Sequence, residues 1–310
     1  MTAESAVTTC YRHPRVESHV RCTRCDRYIC PSCMREAAVG HQCVECVKEQ
    51  ARTVRQARTA FGGRVSAVPL VTYVLIGLNV LVYLAELARP SIVDRFGMQG
   101  VGLKGADGAH YVYQSVYPAS MHVEGVAGGQ WERMLTSAFL HLPPDQGIGV
   151  LHIVMNMVSL WGVGRIVEAQ LGRARYLALY LLSALGGSVL LLLISPDGRA
   201  VGASGAIFGL GAAYWVMGRR LGYDMRAVNQ YMTGLLLWLV LSAWATSWQG
   251  HLGGLLAGGV VTLAYAYAPR DGRRTLVQAG VCVALLAVML VLAWMKVTGL
   301  TGGSAWGSRS

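Results

Sequence analysis

Charge is scarce in this chain. Only 14% of its 310 residues are Asp, Glu, Lys or Arg, against 54% hydrophobic, where a soluble domain carries about 25% charged residues. That shortage excludes an ordinary soluble globular protein and points to the membrane. Cysteine is all but missing after residue 46: seven of the eight lie in the first 66 residues, and the eighth is Cys282. Those 66 residues also hold 11 Lys/Arg and 6 Asp/Glu, whereas beyond Pro69 long apolar runs alternate with short arginine-bearing loops. The main domain boundary is expected there. No apolar stretch precedes residue 68, so no cleavable signal peptide is expected. The net charge of +11 raises nucleic acid as a partner. Most of that surplus lies in the basic leader and in loops that orient a membrane protein, so nucleic acid is not expected.

What is present is a series of apolar segments. Crossing the hydrocarbon takes about 20 such residues, and seven spans are predicted, over 68–88, 150–166, 175–195, 204–218, 229–247, 250–268 and 276–297. With the N-terminus inside, the inner loops hold Arg165, Arg173 and Arg175, then Arg219, Arg220 and Arg226, then Arg270, Arg273 and Arg274. The short outer loops hold Arg199 alone or nothing, and Arg52, Arg55, Arg58 and Arg64 precede the first span with no acid among them. This bias predicts an all-α polytopic protein of the plasma membrane, N-terminus cytoplasmic and C-terminus extracellular. The long outer loop, 89–149, carries Trp131, Met134, Leu135, Ala138 and Phe139 at helical spacing, which predicts a helix lying in the interface.

Polar residues inside spans are costly and therefore mark function. Here they gather at one level. The second span carries His152 and Asn156 near its outer start, four apart and so on one face. The fourth begins outside at Gly202-Ala-Ser204-Gly205, and the sixth begins outside with His251. All four polar groups fall within about 5–10 Å of the outer side at 1.5 Å per residue. Gly205 and Gly209 form one GxxxG step and Gly254 and Gly258 another, on the face that bears His251. Small residues at that spacing let helices approach closely in lipid, which would bring Ser204 to the His251 ring. A serine needs that neighbour, because its hydroxyl is a weak nucleophile until a base accepts the proton. The fourth span is short, about 22 Å against a core of roughly 30 Å, so Ser204 would sit below the membrane surface at a helix N-terminus that favours an oxyanion. No carboxylate stands beside these groups in sequence, which predicts a dyad, with Glu168 too far inside to orient His251.

The leader holds Cys10-x-x-His13, Cys22-x-x-Cys25, Cys30-x-x-Cys33 and Cys43-x-x-Cys46. Four such pairs supply eight ligands, enough for two tetrahedral zinc ions. A cytoplasmic placement and an odd cysteine count disfavour disulfides, and so small a segment needs metal in place of a core. The spacing leaves the partition open between sequential and interleaved pairs, with His19 or His41 as substitutes for a cysteine. The arginine-rich linker that follows is predicted to be an amphipathic helix on the inner membrane surface.

Together these elements resemble the rhomboid family of intramembrane serine proteases. Gly202-Ala-Ser204-Gly205, His251-x-x-Gly254-x-x-x-Gly258, His152-x-x-x-Asn156 and the Trp131-Glu-Arg133 stretch occur in the family's order between about residues 68 and 268. The resemblance implies that Ser204 attacks the carbonyl and His251 moves the proton. It also implies that His152, Asn156 and the Ser204 amide stabilise the oxyanion and that Phe208 packs on the His251 ring. Trp131 and Arg133 would fix the first loop against the bilayer, and the substrates would be single-pass membrane proteins; no cofactor is implied for catalysis. Glu132 stands where an aromatic is commoner, and Leu142–Val150 is an insert before His152. The leader resembles a B-box-like zinc finger, which implies that Cys10, His13, Cys30 and Cys33 share one structural zinc and Cys22, Cys25, Cys43 and Cys46 the other. The expected division is a zinc-binding domain over 1–50, a linker over 51–67, a six-helix core over 68–268, and a seventh helix and tail over 269–310. A cytoplasmic protein partner is expected for the zinc-binding domain. Two other classes compete: an inactive relative that binds membrane proteins, which would lack the serine or the histidine, and a transporter, which would show an inverted repeat.

Overall fold

The computed structural model describes residues 8–53, 57–114, 117–245 and 247–302, and the chain divides into two compact units, Met1–Ala57 and Arg58–Ser310. The first unit has little regular structure. Isolated bridges pair Thr9 with Glu17 and Arg21 with Tyr28. A hairpin of β1 (Met34–Glu36) and β2 (His41–Cys43) then leads into helix α1 (Val44–Thr53). Its interior is made of cysteine, with Ile29 the one fully buried hydrocarbon side chain among the described residues.

In the second unit, four helices among the described residues are long and apolar enough to cross a membrane. These are α2 (Leu70–Ala88), the Val150–Leu171 segment, α7 (Arg173–Ile194) and α11 (Arg274–Thr301). Between α2 and the second of them lie α3 (Ser91–Phe96) and the short α4 (Arg133–Thr136). The 150–171 segment consists of α5 (Val150–Ser159), a π-helical turn (Leu160–Gly164) and α6 (Arg165–Leu171). Three further predicted spans are helices α8 (Ser204–Leu221), α9 (Met225–Ala245) and α10 (Trp248–Tyr267), which are less apolar than those four. For α8 and α10 the reason is physical: they spend positions on Gly, Ser and His that face other helices instead of lipid. α7, α8 and α10 form the central group of the unit, and α7 is the most buried of the apolar helices.

Helix ends follow local chemistry. Arg89 precedes Pro90, which disfavours continuing α2. Gly172, at φ +76°, separates α6 from α7, and Gly222, at φ +71°, closes α8 behind Arg219 and Arg220.

Two sequence expectations change. The loop 89–149 is not built on one interfacial helix. It contains β4 (Gly102–Lys104) between β5 (His110–Tyr111) and β6 (His122–Glu124), and a strand β3 (Met98–Gln99) that pairs with β7 (Arg199–Ala200). The 131–139 stretch forms only α4 and a 3-10 turn, Ser137–Phe139. The linker is not a continuous amphipathic helix either. Residues 58–64 close a tight turn through the Arg58–Arg64 bridge, with Gly62 at φ +85°. Phe61 is buried in the helical core, where Gln278 Nε2 donates to its carbonyl at 3.2 Å. Residues 54–56 of that linker lie outside the described residues.

Candidate active site

The glycine seams set the geometry. A Cβ on Gly254 would overlap the Gly205 carbonyl, and one on Gly258 would overlap the Gly209 backbone, so α8 and α10 touch main chain to main chain. The same close contact extends to α7, where Gly186 and Gly187 face the carbonyls of Gly253 and Gly250. That third seam has no GxxxG spacing and was not read from the sequence.

Held this way, the first residue of α8 meets the first turn of α10. Ser204 Oγ lies 2.9 Å from His251 Nε2. On the far side of the ring, His251 Nδ1 lies 3.0 Å from Ser242 Oγ of α9. Phe208, one turn below the serine, stacks on the imidazole at a centroid distance of 4.6 Å and an interplanar angle of 12°. His251 and Phe208 are both buried.

The α5 side chains face the same place. Leu142 N–H donates to His152 Nδ1 at 3.2 Å, so the neutral ring carries its proton on Nε2. His152 Nε2 and Ser204 Oγ both border Gly202, lying 2.9 and 3.7 Å from the position a Cβ there would occupy. Gly202 is required there twice over, by its φ of +123° and by the His152 ring. Asn156 is buried and its Nδ2 donates to the His152 carbonyl at 2.9 Å, within its own helix. The first internal hydrogen bond of α8 is Ile207 N–H to Ala203 O, which leaves the preceding amides, Ser204 included, at the helix N-terminus. Ser204, His251, His152 and Asn156 line one cavity of about 630 Å³, whose wall also includes Trp238 and, from the insert, Leu142.

A comparison of the sequence with known families fits this arrangement: the Rhomboid domain family matches residues 128–269. The chain carries a rhomboid domain. Rhomboid protease GluP of Bacillus subtilis is 36% identical over 137 residues, 43% of this chain and 26% of that protein. Putative rhomboid protease YdcA of the same organism is 38% identical over 94 residues, 30% of this chain and 44% of that one. RHOMBOID-like protein 6, mitochondrial, of Arabidopsis thaliana is 31% identical over 156 residues, 47% and 48% of the two chains. The chain thus spans from about a quarter to about half the length of these curated relatives. Family and apolar helices together make it a multi-pass membrane protein.

Other residues of the helical unit sit where sequence reasoning did not put them. Arg133 does not reach outward to lipid: it is buried, and its Nη1 donates to the Gly97 carbonyl at 3.2 Å. Burial depresses its guanidinium pKa. Trp131, by contrast, is exposed. Glu168 caps α2 from 96 residues away, accepting Val71 N–H at 3.0 Å, Thr72 N–H at 2.8 Å and the Thr72 hydroxyl at 2.7 Å. His141 is wholly buried 5.2 Å from the His152 ring, with neither ring nitrogen hydrogen-bonded among the described residues. Cys282 is half-buried and lies 3.3 Å from the Tyr265 hydroxyl.

In the first unit two groups of four ligands converge, Cys10, His13, Cys30 and Cys33 in one and Cys22, Cys25, Cys43 and Cys46 in the other, each within 4.8 Å. His19 and His41 belong to neither group. A tetrahedral zinc with Zn–S bonds of about 2.3 Å spaces its sulfurs about 3.8 Å apart; Cys25 and Cys43 are 3.8 Å apart, and His13 Nδ1 lies 3.3 Å from Cys30 Sγ and 3.4 Å from Cys33 Sγ. Backbone N–H groups of Cys43 and Cys46 donate to the sulfurs of Cys22 and Cys43 at 3.2 and 3.3 Å, as thiolates require. Burial works against ionisation of Cys22, but the backbone N–H groups of Cys43, Arg24 and Cys25 outweigh it and hold its pKa down to about 6. The Ser32 hydroxyl does the same for Cys30. The donor set fits zinc.

Proposed function

We propose that this protein is an intramembrane serine endopeptidase that hydrolyses peptide bonds in or beside the transmembrane segments of other membrane proteins. One observation carries the reading: a serine hydroxyl 2.9 Å from an imidazole nitrogen, at a helix N-terminus, lining a cavity of about 630 Å³.

In this reading Ser204 Oγ attacks the scissile carbonyl while His251 Nε2 takes its proton. His152 Nε2–H and the Ser204 amide donate to the oxyanion that forms. Asn156 joins them once its amide turns from the His152 carbonyl. Collapse of the tetrahedral intermediate expels the amine, protonated by His251, and leaves an acyl-enzyme on Ser204. Water then attacks the acyl carbonyl as His251 takes its proton; collapse of the second tetrahedral intermediate breaks the Ser204 ester, and His251 returns the proton to Ser204 Oγ as the acid product leaves. Phe208 holds the ring plane throughout, and Gly202, Gly205, Gly209, Gly254 and Gly258 hold the two helices together.

The first unit would bind two structural zinc ions through the two ligand groups and would dock a cytoplasmic protein. The arginine bias favours a cytoplasmic N-terminus and an extracellular C-terminus at the plasma membrane, with α8, α9 and α10 crossing behind the more apolar helices. The reading is tested with the full chain in proteoliposomes and a single-pass model substrate, beside Ser204→Ala and His251→Ala. Both variants are expected to lose at least about 10³-fold in rate. Equal cleavage by all three proteins overturns the mechanism.

A further inference from the structure

We infer that Ser242, near the end of α9, positions the base: its hydroxyl oxygen accepts the Nδ1 proton of His251 and keeps Nε2 free to receive the proton of Ser204. The inference rests on the protease reading for its role, but not for the hydrogen bond itself.

The direction of each bond follows from counting protons. A serine hydroxyl has one to give. That of Ser242 goes to the Leu239 carbonyl, 2.7 Å away on the same helix. Toward His251 Nδ1, at 3.0 Å, Ser242 Oγ therefore accepts. A neutral imidazole carries one proton, and this contact puts it on Nδ1. Nε2 is left with its lone pair facing Ser204 Oγ at 2.9 Å, so the Ser204 hydroxyl donates. The chain Ser204 to His251 to Ser242 to Leu239 thus has a single consistent sense. It runs nucleophile to base to acceptor, the order that catalysis needs, with an alcohol where soluble serine proteases place a carboxylate.

Burial makes the arrangement matter. Ser242 is 1% exposed and His251 6%, so no bulk water stands ready to replace the hydroxyl. Val228 and Ser242 are the buried residues of α9 among those described; the helix turns one polar group fully inward and sets it on the histidine. Phe208 fixes the plane of the ring by stacking, and Ser242 fixes which nitrogen points at Ser204. Without Ser242, a proton on Nδ1 has no acceptor. The alternative tautomer can instead donate from Nε2 to Ser204 Oγ, and a ring in that state is no base.

The test uses full-length protein in nanodiscs, labelled with 15N-histidine, with His251 assigned from the spectrum of His251→Gln. The expected wild-type spectrum has the proton on Nδ1 and an unprotonated Nε2; a proton on Nε2 overturns the inference. Ser242→Ala is expected to shift the proton toward Nε2. It should also lower kcat by about 10- to 100-fold, part of the 10²–10⁴-fold that a positioned base supplies, with KM little changed. Ser242→Thr keeps the hydroxyl and should restore kcat to near wild type, which a simple packing role would not give. Full activity in Ser242→Ala, or equal loss in the Thr and Ala variants, also overturns it. The spectrum separates the two readings. A wild-type chain with Nδ1 protonated and no proteolysis rejects the protease, while the hydrogen-bond assignment stands.

Discussion

Six of the seven cysteines in the first unit are buried, and around them almost no hydrocarbon is. The helical unit has the opposite make-up: a broad apolar core, with its chemistry held where glycine backbones touch. Position is fixed in one by a few directional ligand bonds and in the other by many contacts without any side chain between them. With zinc bound as proposed, the first arrangement would be all or none, since removing the metal would remove the core. The second is graded, because each contact gives up only its own share.

Chelation is the harshest way to break the comparison. A strong chelator, or Cys22→Ala with Cys30→Ala, should unfold the first unit, because structural zinc supplies about 10–16 kcal/mol of apparent folding energy in such modules. Protease sensitivity confined to residues before Arg58, with the helical circular dichroism retained, would be the expected record. Metal analysis should count about two zinc ions per untreated chain. Gly254→Val should cost less, about 3 kcal/mol, by forcing a side chain into the Gly205 carbonyl. It should abolish cleavage because α10 can no longer bring His251 to Ser204; denaturation in mild detergent and the cleavage rate would both be followed. Glu168→Gln is the mildest, expected to cost about 2 kcal/mol by replacing a charged acceptor of three hydrogen bonds with an amide. Its cleavage rate at low temperature should stay close to wild type, since the change lies in α6, about three helical turns beyond Asn156 along the same segment.

The parts legible in the sequence share one property: their partners are set by short, regular spacing. Cysteine pairs, the GxxxG steps, and His152 four residues before Asn156 all belong to this kind, and helix ends fell within a few residues of Pro90 and Gly222. The parts that were not legible depend on partners far away in the chain. Nothing near Glu168 announces that it caps a helix starting at Leu70. Ser242 looks like one more small residue in an apolar run until the register of α9 against α10 is known. The family resemblance implied that Arg133 fixes the loop against the bilayer; nothing near it in the chain points to its acceptor, the Gly97 carbonyl, which is 36 residues away. The linker failed as a helix because Gly62 and Gly63 turn the chain and Phe61 finds the core.

Gly205, Gly209, Gly254 and Gly258 have a consequence for how such a protein can change. Mutation has nothing to trim from a glycine; at Gly209, Gly254 and Gly258 it has no room to add, and at Gly205 very little. The reactive pair is therefore locked against gradual adjustment. Variation is left to the walls around it, where Leu142, Gln146 and Trp238 meet the cavity, so new preferences among targets would arise at the rim while the chemistry beneath stays as it is.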